Sequence, residues 1–212
     1  HLALREHQLK FWLVNAHSKE LNMRTVVIGS GSWGTALAQV LQDNHQEVMV
    51  YGVAENEVND INENHKNSKY FGDVELNPEL KATTDIECVK GADIVLLAVP
   101  TIAIDPICHQ INDLLEKKTI IINVSKGFHP ETNERMSQVI RRCIDEDKLS
   151  SVVSLIGPSH AEEVVIRLLT TIDAISLKNE DALTVQNLFS NQYLRIYTGN
   201  DEIGSELGVA IK

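Results

Sequence analysis

Aromatic side chains are scarce, at 5 % of the chain, and only three cysteines occur, Cys88, Cys108 and Cys143. With few aromatics, the core has to be built from Val, Ile, Leu and Ala, which suits a parallel sheet buried on both faces. The cysteines show neither C-x-x-C nor metal-type spacing, so a disulfide scaffold and a cysteine metal site are not expected. They read as reduced thiols of a cytoplasmic protein. Positive charge is also short, with 19 Lys and Arg against 30 Asp and Glu and a net charge of −11. No basic stripe is available to displace counterions from phosphates, so nucleic acid is not an expected partner. No apolar run approaches the ~20 residues that cross a bilayer, so no membrane span is expected.

What is present is an apolar share of 43 % and a charged share of 23 % over 212 residues. That is enough for one large domain, or for a domain and part of a second. Residues 1–22 hold one short apolar patch from Phe11 to Val14, too short for a secretory signal. They are read as a leader, tag or extension outside the fold, with Met23 as the natural start. If Lys19-Glu20 is encoded AAG-GAG, a ribosome-binding sequence precedes Met23, which the DNA sequence decides. Position 1 is not Met and the chain stops abruptly at Lys212, so both ends read as cuts.

From Met23 onward, short apolar runs alternate with helical stretches, the pattern of a doubly wound α/β sheet. Strands are expected at 24–28, 47–52, 82–84, 94–99, 119–124, 151–156, 171–177 and 194–197. Helices are expected at 33–43, 103–115, 132–144 and 182–189, and another begins at Asp201. The stretch 55–67 starts helical and becomes a loop around Tyr70-Phe71-Gly72. Asp85 reads as the N-cap of a brief helix through residue 90.

The hexapeptide Gly29-Ser30-Gly31-Ser32-Trp33-Gly34 matches G-x-G-x-x-G after an expected strand and at the start of an expected helix. In that setting Gly29 permits the tight turn, Gly31 lets backbone approach a diphosphate, and Gly34 lets helix and strand pack closely. The N–H groups of the first helical turn face the anion. A purely structural turn is the bland alternative, but the strand–helix–strand context points to a dinucleotide and a Rossmann-type sheet. An acidic residue for the ribose hydroxyls belongs about 20 residues on. There the chain reads Tyr51-Gly52-Val53-Ala54-Glu55, with no Asp or Glu at the strand tip and no Arg for a 2′-phosphate. Glu55 reads as a first-turn helix partner. Both NAD and NADP stay open as cofactor.

The string GSGSWGTALA, with Trp33 inside the glycine loop, resembles the cofactor loop of NAD(P)-dependent glycerol-3-phosphate dehydrogenases of the bacterial type. Ala98-Val99-Pro100, Ser125-Lys126-Gly127, GPSHAEEV from position 157 and GSELGVAIK from position 204 agree with that family in order and spacing. The last lacks only the final Asn of the family's GxELGxxxKN. The resemblance implies an NAD(P)-binding domain over 23–199. It also implies the start of a helical substrate domain at 200–212, truncated before the rest of that all-helical C-terminal domain. By the same resemblance Ser32 and Trp33 touch the cofactor together with the other loop residues, Ala161 lies near it, and Tyr70 stands near a lining position. Lys126 lies near both nicotinamide and substrate, Gly157 and Ser159 contact substrate, and Lys212 is the catalytic acid/base. The implied reaction interconverts sn-glycerol 3-phosphate and dihydroxyacetone phosphate and serves glycerophospholipid synthesis. The implied phosphate contacts lie in the helical domain, so this chain is expected to bind cofactor with little turnover. A homodimer of the full-length enzyme is compatible with the resemblance.

The residue chemistry agrees with this resemblance. Reducing a carbonyl needs a hydride from one side and a proton on the developing alkoxide, and a positioned lysine supplies that proton. A free lysine, with a pKa near ~10.4, releases its proton too reluctantly near neutrality. Burial or a second cation lowers that value, and Lys126 and Lys212 form such a pair if the fold brings them together. A lone lysine is ordinarily a solvated charge, but Lys126 follows a buried strand, where open α/β sheets bind ligands. Ser159 reads as a helix cap or a ligand donor. His129 and His160 read as loop or surface residues, and Glu162-Glu163 as dipole partners of their helix. Two alternatives stand beside the dehydrogenase: a related hydroxyacid or hydroxyacyl dehydrogenase, and a non-catalytic dinucleotide-sensing module.

Overall fold

The computed structural model describes residues 23–211. The expected leader at 1–22 and the lysine at 212 both fall outside the described residues. The strands are β1 (Thr25–Ile28), β2 (Val48–Tyr51), β3 (Lys81–Thr83), β4 (Ile94–Leu97), β5 (Thr119–Asn123), β6 (Leu149–Ile156), β7 (Thr170–Ile175) and β8 (Leu194–Gly199). They form one sheet in the order β3-β2-β1-β4-β5-β6-β7-β8. The first six are parallel, and the order reverses between β1 and β4. In open α/β sheets ligands bind at such a reversal, outside the carboxyl ends of the strands. β7 runs antiparallel to β6, which the sequence pattern does not show, and β8 then pairs parallel with β7.

The helices are α1 (Ser32–Asp43), α2 (Glu55–Asn59), α3 (Ser68–Phe71), α4 (Thr101–Asn112), α5 (Met136–Cys143), α6 (Ala161–Val165), α7 (Asn179–Phe189) and α8 (Glu202–Ala210). Strands β1, β4 and β5 are buried along their whole length, and their alternate residues feed two separate cores. Val27, Leu96 and Ile122 pack with Leu37 and Leu41 of α1 and Phe189 of α7 on one face. Val26, Leu97 and Ile121 pack with Ile104 of α4 and Val139 of α5 on the other. This is the two-sided burial that a core of β-branched and aliphatic residues demands. No helix among the described residues is long and apolar enough to cross a membrane.

Several expected boundaries move, each for a tertiary reason. The loop expected around Tyr70 is the short helix α3, because the Asp60 carboxylate accepts from the Ser68 N–H at 2.7 Å and fixes its start. The stretch behind α2 widens into a π-helical turn over Asp60–Asn64. The helix expected from residue 132 begins only at Met136. Asn133 takes φ of 58°, and Phe128 bridges Arg135, so the intervening residues form a turn. His129 lies in that turn but is buried, and its Nδ1 accepts from the Thr132 N–H at 3.3 Å. Asp85 accepts from the Glu87 N–H and so caps its 3-10 turn as expected.

Asp43, at the end of α1, ties that helix to two distant segments. Its carboxylate accepts from Arg167 at 2.8 and 3.0 Å and from the Tyr193 hydroxyl at 2.8 Å. Burial pushes this carboxyl upward, but the bonds from Arg167, Tyr193 and Asn77 outweigh it and hold the group below the usual carboxylate range. A depressed folded value means the stabilisation is complete above the unfolded value of ~3.9 and is lost as pH falls through the folded one. Asp43→Asn is expected to cost about 1.5–3 kcal/mol at neutral pH, the range for hydrogen bonds to charged groups. Urea unfolding is the check: the gap to the parent should narrow in acid, and coincident curves at pH 7 would sink the assignment.

Candidate functional site

The glycine loop leaves β1 beneath the tip of β4. Gly29 has φ of 115°, and a β-carbon there would stand 2.4 Å from the Ala98 carbonyl oxygen. At Gly34 a β-carbon would stand 1.9 Å from the Gly29 carbonyl oxygen, so helix and turn can touch only through glycine. Gly31 differs, since no protein atom lies within 4 Å of a β-carbon built there. Packing within the chain therefore does not require glycine at 31, whereas a close ligand would. Helix α1 starts at Ser32 with no side-chain cap and no acidic residue in its first turn. Its N–H groups and the positive end of its dipole suit an anion at that point.

Ser30 turns away from this face. Its hydroxyl is buried and donates to Glu57 Oε2 at 2.7 Å, while a β-carbon at Gly52 would meet that hydroxyl at 2.5 Å. Asn67 donates to the Ser30 carbonyl and to the Thr35 hydroxyl, both at 2.8 Å. Lys69 bonds the other Glu57 oxygen at 2.6 Å. Burial pushes the Glu57 carboxyl up, but Lys69 and Ser30 together hold it below its ordinary value, so it stays ionised and paired. Sequence reasoning missed Glu57, Asn67 and Lys69; no local pattern marks residues whose partners lie in the glycine loop. Tyr70 sits on α3 with the Lys69 ammonium 5.1 Å from its ring centre. Val53, beyond the tip of β2, is 84 % exposed.

Lys126 is set by the loop after β5. The Ser125 hydroxyl donates to the Val99 carbonyl at 2.6 Å, and the Ser125 N–H to the Asn123 side chain at 3.1 Å. Gly127, with φ of 122°, turns the chain just behind it. The Lys126 ammonium lies 5.6 Å from the Trp33 ring centre and donates to the Gly157 carbonyl at 3.3 Å. The structure therefore brings Trp33, Lys126 and Gly157 together at the carboxyl ends of β1, β5 and β6.

Beyond them opens a cleft of about 710 Å³ lined by Lys126, Gly157, Ser159, Asp173, Gly204 and Gly208, among others. Gly157 is constrained by packing, since a β-carbon there would lie 2.9 Å from Ile172. Ser159 does not cap a helix: α6 begins at Ala161 with His160 as its N-cap residue and no side-chain bond. Ser159 is instead buried at the cleft wall, and Ala161 is buried beside it. His160 is exposed, as expected. Lys212 lies outside the described residues; Val209 and Ala210 at the end of α8 line the same cleft. The expected helix from Asp201 and the GSELGVAIK string both pointed to this wall, and Asp201 does cap α8 through the Gly204 N–H at 2.9 Å.

Residues 24–182 match the family described as NAD-dependent glycerol-3-phosphate dehydrogenase N-terminus. Over 190 residues the chain is 47 % identical to the glycerol-3-phosphate dehydrogenase (NAD(P)+) of Listeria innocua, covering 89 % of this chain and 56 % of that protein. A protein of the same description from Streptococcus uberis is 43 % identical over 192 residues, covering 90 % of this chain and 57 % of its own length. The chain thus spans little more than half the length of these relatives. The crystal structure of glycerol-3-phosphate dehydrogenase from Coxiella burnetii superposes with a TM-score of 0.81 at 26 % identity, covering 89 % of this chain and 57 % of that one. A UDP-D-ManNAc dehydrogenase from Pyrococcus horikoshii, at 16 % identity and a TM-score of 0.70 over 88 % of this chain and 49 % of its own, shares the fold alone.

The two glycines separate stability from binding. Gly34→Ala should destabilise by about 1–3 kcal/mol through overpacking, whereas Gly31→Ala should stay within about 0.5 kcal/mol of the parent. Gly31→Ala should nonetheless weaken NADH binding at least tenfold in a fluorescence titration. Parent-like affinity in that variant would remove the loop from the cofactor site.

Proposed function

The chain belongs to the NAD-dependent glycerol-3-phosphate dehydrogenase family, matching its N-terminal part, and from that membership we propose that it holds the dinucleotide of an oxidoreductase interconverting sn-glycerol 3-phosphate and dihydroxyacetone phosphate. The observation that carries the reading is Lys126 beside Trp33 and Gly157, one residue cluster away from an uncapped helix N-terminus. The activity, its place in glycerophospholipid synthesis, the cytoplasmic location and a homodimer are proposed for the whole protein.

In this reading the backbone of Gly29, Ser30, Gly31 and Ser32 and the start of α1 hold the pyrophosphate. Ser30 contributes only its backbone, because its side chain is committed to Glu57. Trp33 and Ala161 lie along the dinucleotide, and Tyr70 flanks its far end. A bound nicotinamide supplies or accepts the hydride. Lys126 places positive charge at the cleft, where it stabilises the developing alkoxide of the substrate. Lys212 holds and delivers the proton. Gly157 and Ser159 orient the substrate along the cleft wall. Exposed Val53 and the paired state of Glu57 leave no side chain at the β2 tip dedicated to either a ribose hydroxyl or a 2′-phosphate, so NAD and NADP are both admitted.

The test is dihydroxyacetone-phosphate-dependent oxidation of NADH or NADPH by the whole protein, and no such oxidation would overturn the assignment. Lys212→Ala should lower kcat by about 10²–10⁴ while cofactor affinity changes little. An unchanged kcat would remove Lys212 from the acid role. This chain alone should bind NADH, and turnover by it without further residues would contradict the division of labour.

A further inference from the structure

A second cleft, of about 700 Å³, opens where α4 and the turn before α5 meet, and Asp105, His129, Glu134 and Arg142 are among its lining residues. None of these belongs to the dinucleotide site. Asp105 and His109 stand one turn apart on α4, with Asp105 Oδ1 3.3 Å from His109 Nε2. Cys143, the last residue of α5, reaches the same spot, and one donor atom from each of the three residues lies within 4.8 Å of the others. An imidazole, a carboxylate and a thiol from two packed helices form the mixed N, O and S set that zinc takes, at tetrahedral spacing after a small closure. We infer that Asp105, His109 and Cys143 form a binding site for a thiophilic divalent cation of the zinc class, which pins α4 to α5.

The surrounding charges favour such an occupant. Asp105 Oδ2 and Glu134 both hold Arg142, at 2.8 and 3.0 Å, which leaves Oδ1 directed toward His109. Asp105, Glu131, Glu134 and Arg142 along the cleft carry three negative charges and one positive, an excess of two negative charges. On binding, the Cys143 S–H bond breaks, a sulfur–metal bond forms and the proton passes to solvent. A dication in exchange for one proton lowers that excess to one negative charge. Cys143 is buried, His109 is exposed, and Asp105 borders the cleft, so the cation has an entry path and a water can complete the coordination.

The 212-residue chain can be titrated with Zn²⁺, and with Cd²⁺ and Co²⁺ as spectroscopic probes. One cation per chain, a thiolate-to-metal charge-transfer band and a raised melting temperature are expected. Cys143→Ser should abolish the band, and Cys88→Ser should leave it intact. His109 is exposed, so His109→Ala should fold normally and weaken binding about 10–100-fold, the scale of losses around metal sites. Parent-like affinity in His109→Ala overturns the site even if Cys143→Ser folds poorly. So does metal uptake without a thiolate band, such as one carried by His1, His7 and His17. None of these results depends on the dehydrogenase reading.

Discussion

Helix α1 approaches the end of β1 so closely that a β-carbon at Gly34 would sit 1.9 Å from the Gly29 carbonyl oxygen. Most of the site follows from that contact. Gly29 meets the Ala98 carbonyl on the β4 side, and Gly52 receives the Ser30 hydroxyl on the β2 side. Three glycines thus act as sockets that lock the ends of β1, β2 and β4 around one turn. With the turn fixed, α1 points its uncapped end along the switch between β1 and β4 and swings Trp33 beneath Lys126. Any side chain at Gly34 would lift α1 and move both its uncapped N-terminus and the indole together.

The polar residues behind the loop serve the same geometry. Ser30, Asn67, Glu57 and Lys69 form one connected set of hydrogen bonds, with the Glu57 carboxylate ionised and compensated by Lys69. A half-satisfied buried network costs more than an apolar one. Here the Ser30 carbonyl, the Thr35 hydroxyl and both Glu57 oxygens find donors, while Asn67 Oδ1 alone of the set is buried without a partner. The network therefore fixes which surface of the loop faces outward, which apolar packing alone would leave free to rotate.

What the sequence shows of this depends on how local each constraint is. The glycine loop is legible because its requirements arise within six consecutive residues, and Lys126 because it follows a long buried run. The buried strands are legible for the same reason: Ile94–Leu97 and the Ile120, Ile121, Ile122 run of β5 are apolar on both faces. The antiparallel turn into β7, the helix at Ser68 and the turn ahead of Met136 are not, because each is decided by a partner far away or by one left-handed residue. Asp60 starts α3 from eight positions upstream, and Asn133 at φ of 58° delays α5. Gly157 resembles a ligand-contact glycine in its motif, yet Ile172 on β7 already excludes a side chain there. That steric need for glycine shows only in its packing against β7, not in the motif.

The far wall of the cleft is held differently, by charge. Glu202 and Glu206 of α8 are 3 % and 6 % exposed, and they meet Arg141, Arg135 and Ser137 of the α5 region. Burial pushes the Glu202 carboxyl up, but Arg141, Ser137 and Arg135 hold it below its ordinary value. Two arginines balance two carboxylates, so the cluster is neutral overall, but its desolvation cost takes back much of the Coulombic gain. Its effect is better described as registry than as net stability. Ser137 N–H and hydroxyl both bond Glu206, and only one rotation of α8 brings Glu202 to Arg141 at the same time. That rotation turns Gly204, Ser205 and Gly208 toward the cleft, where small residues leave room beside Lys126 and Ser159. An apolar seam would tolerate a slipped or rotated α8, whereas the paired glutamates do not. The helix that leads into Lys212 therefore belongs, by its packing, to the same rigid frame as the glycine loop.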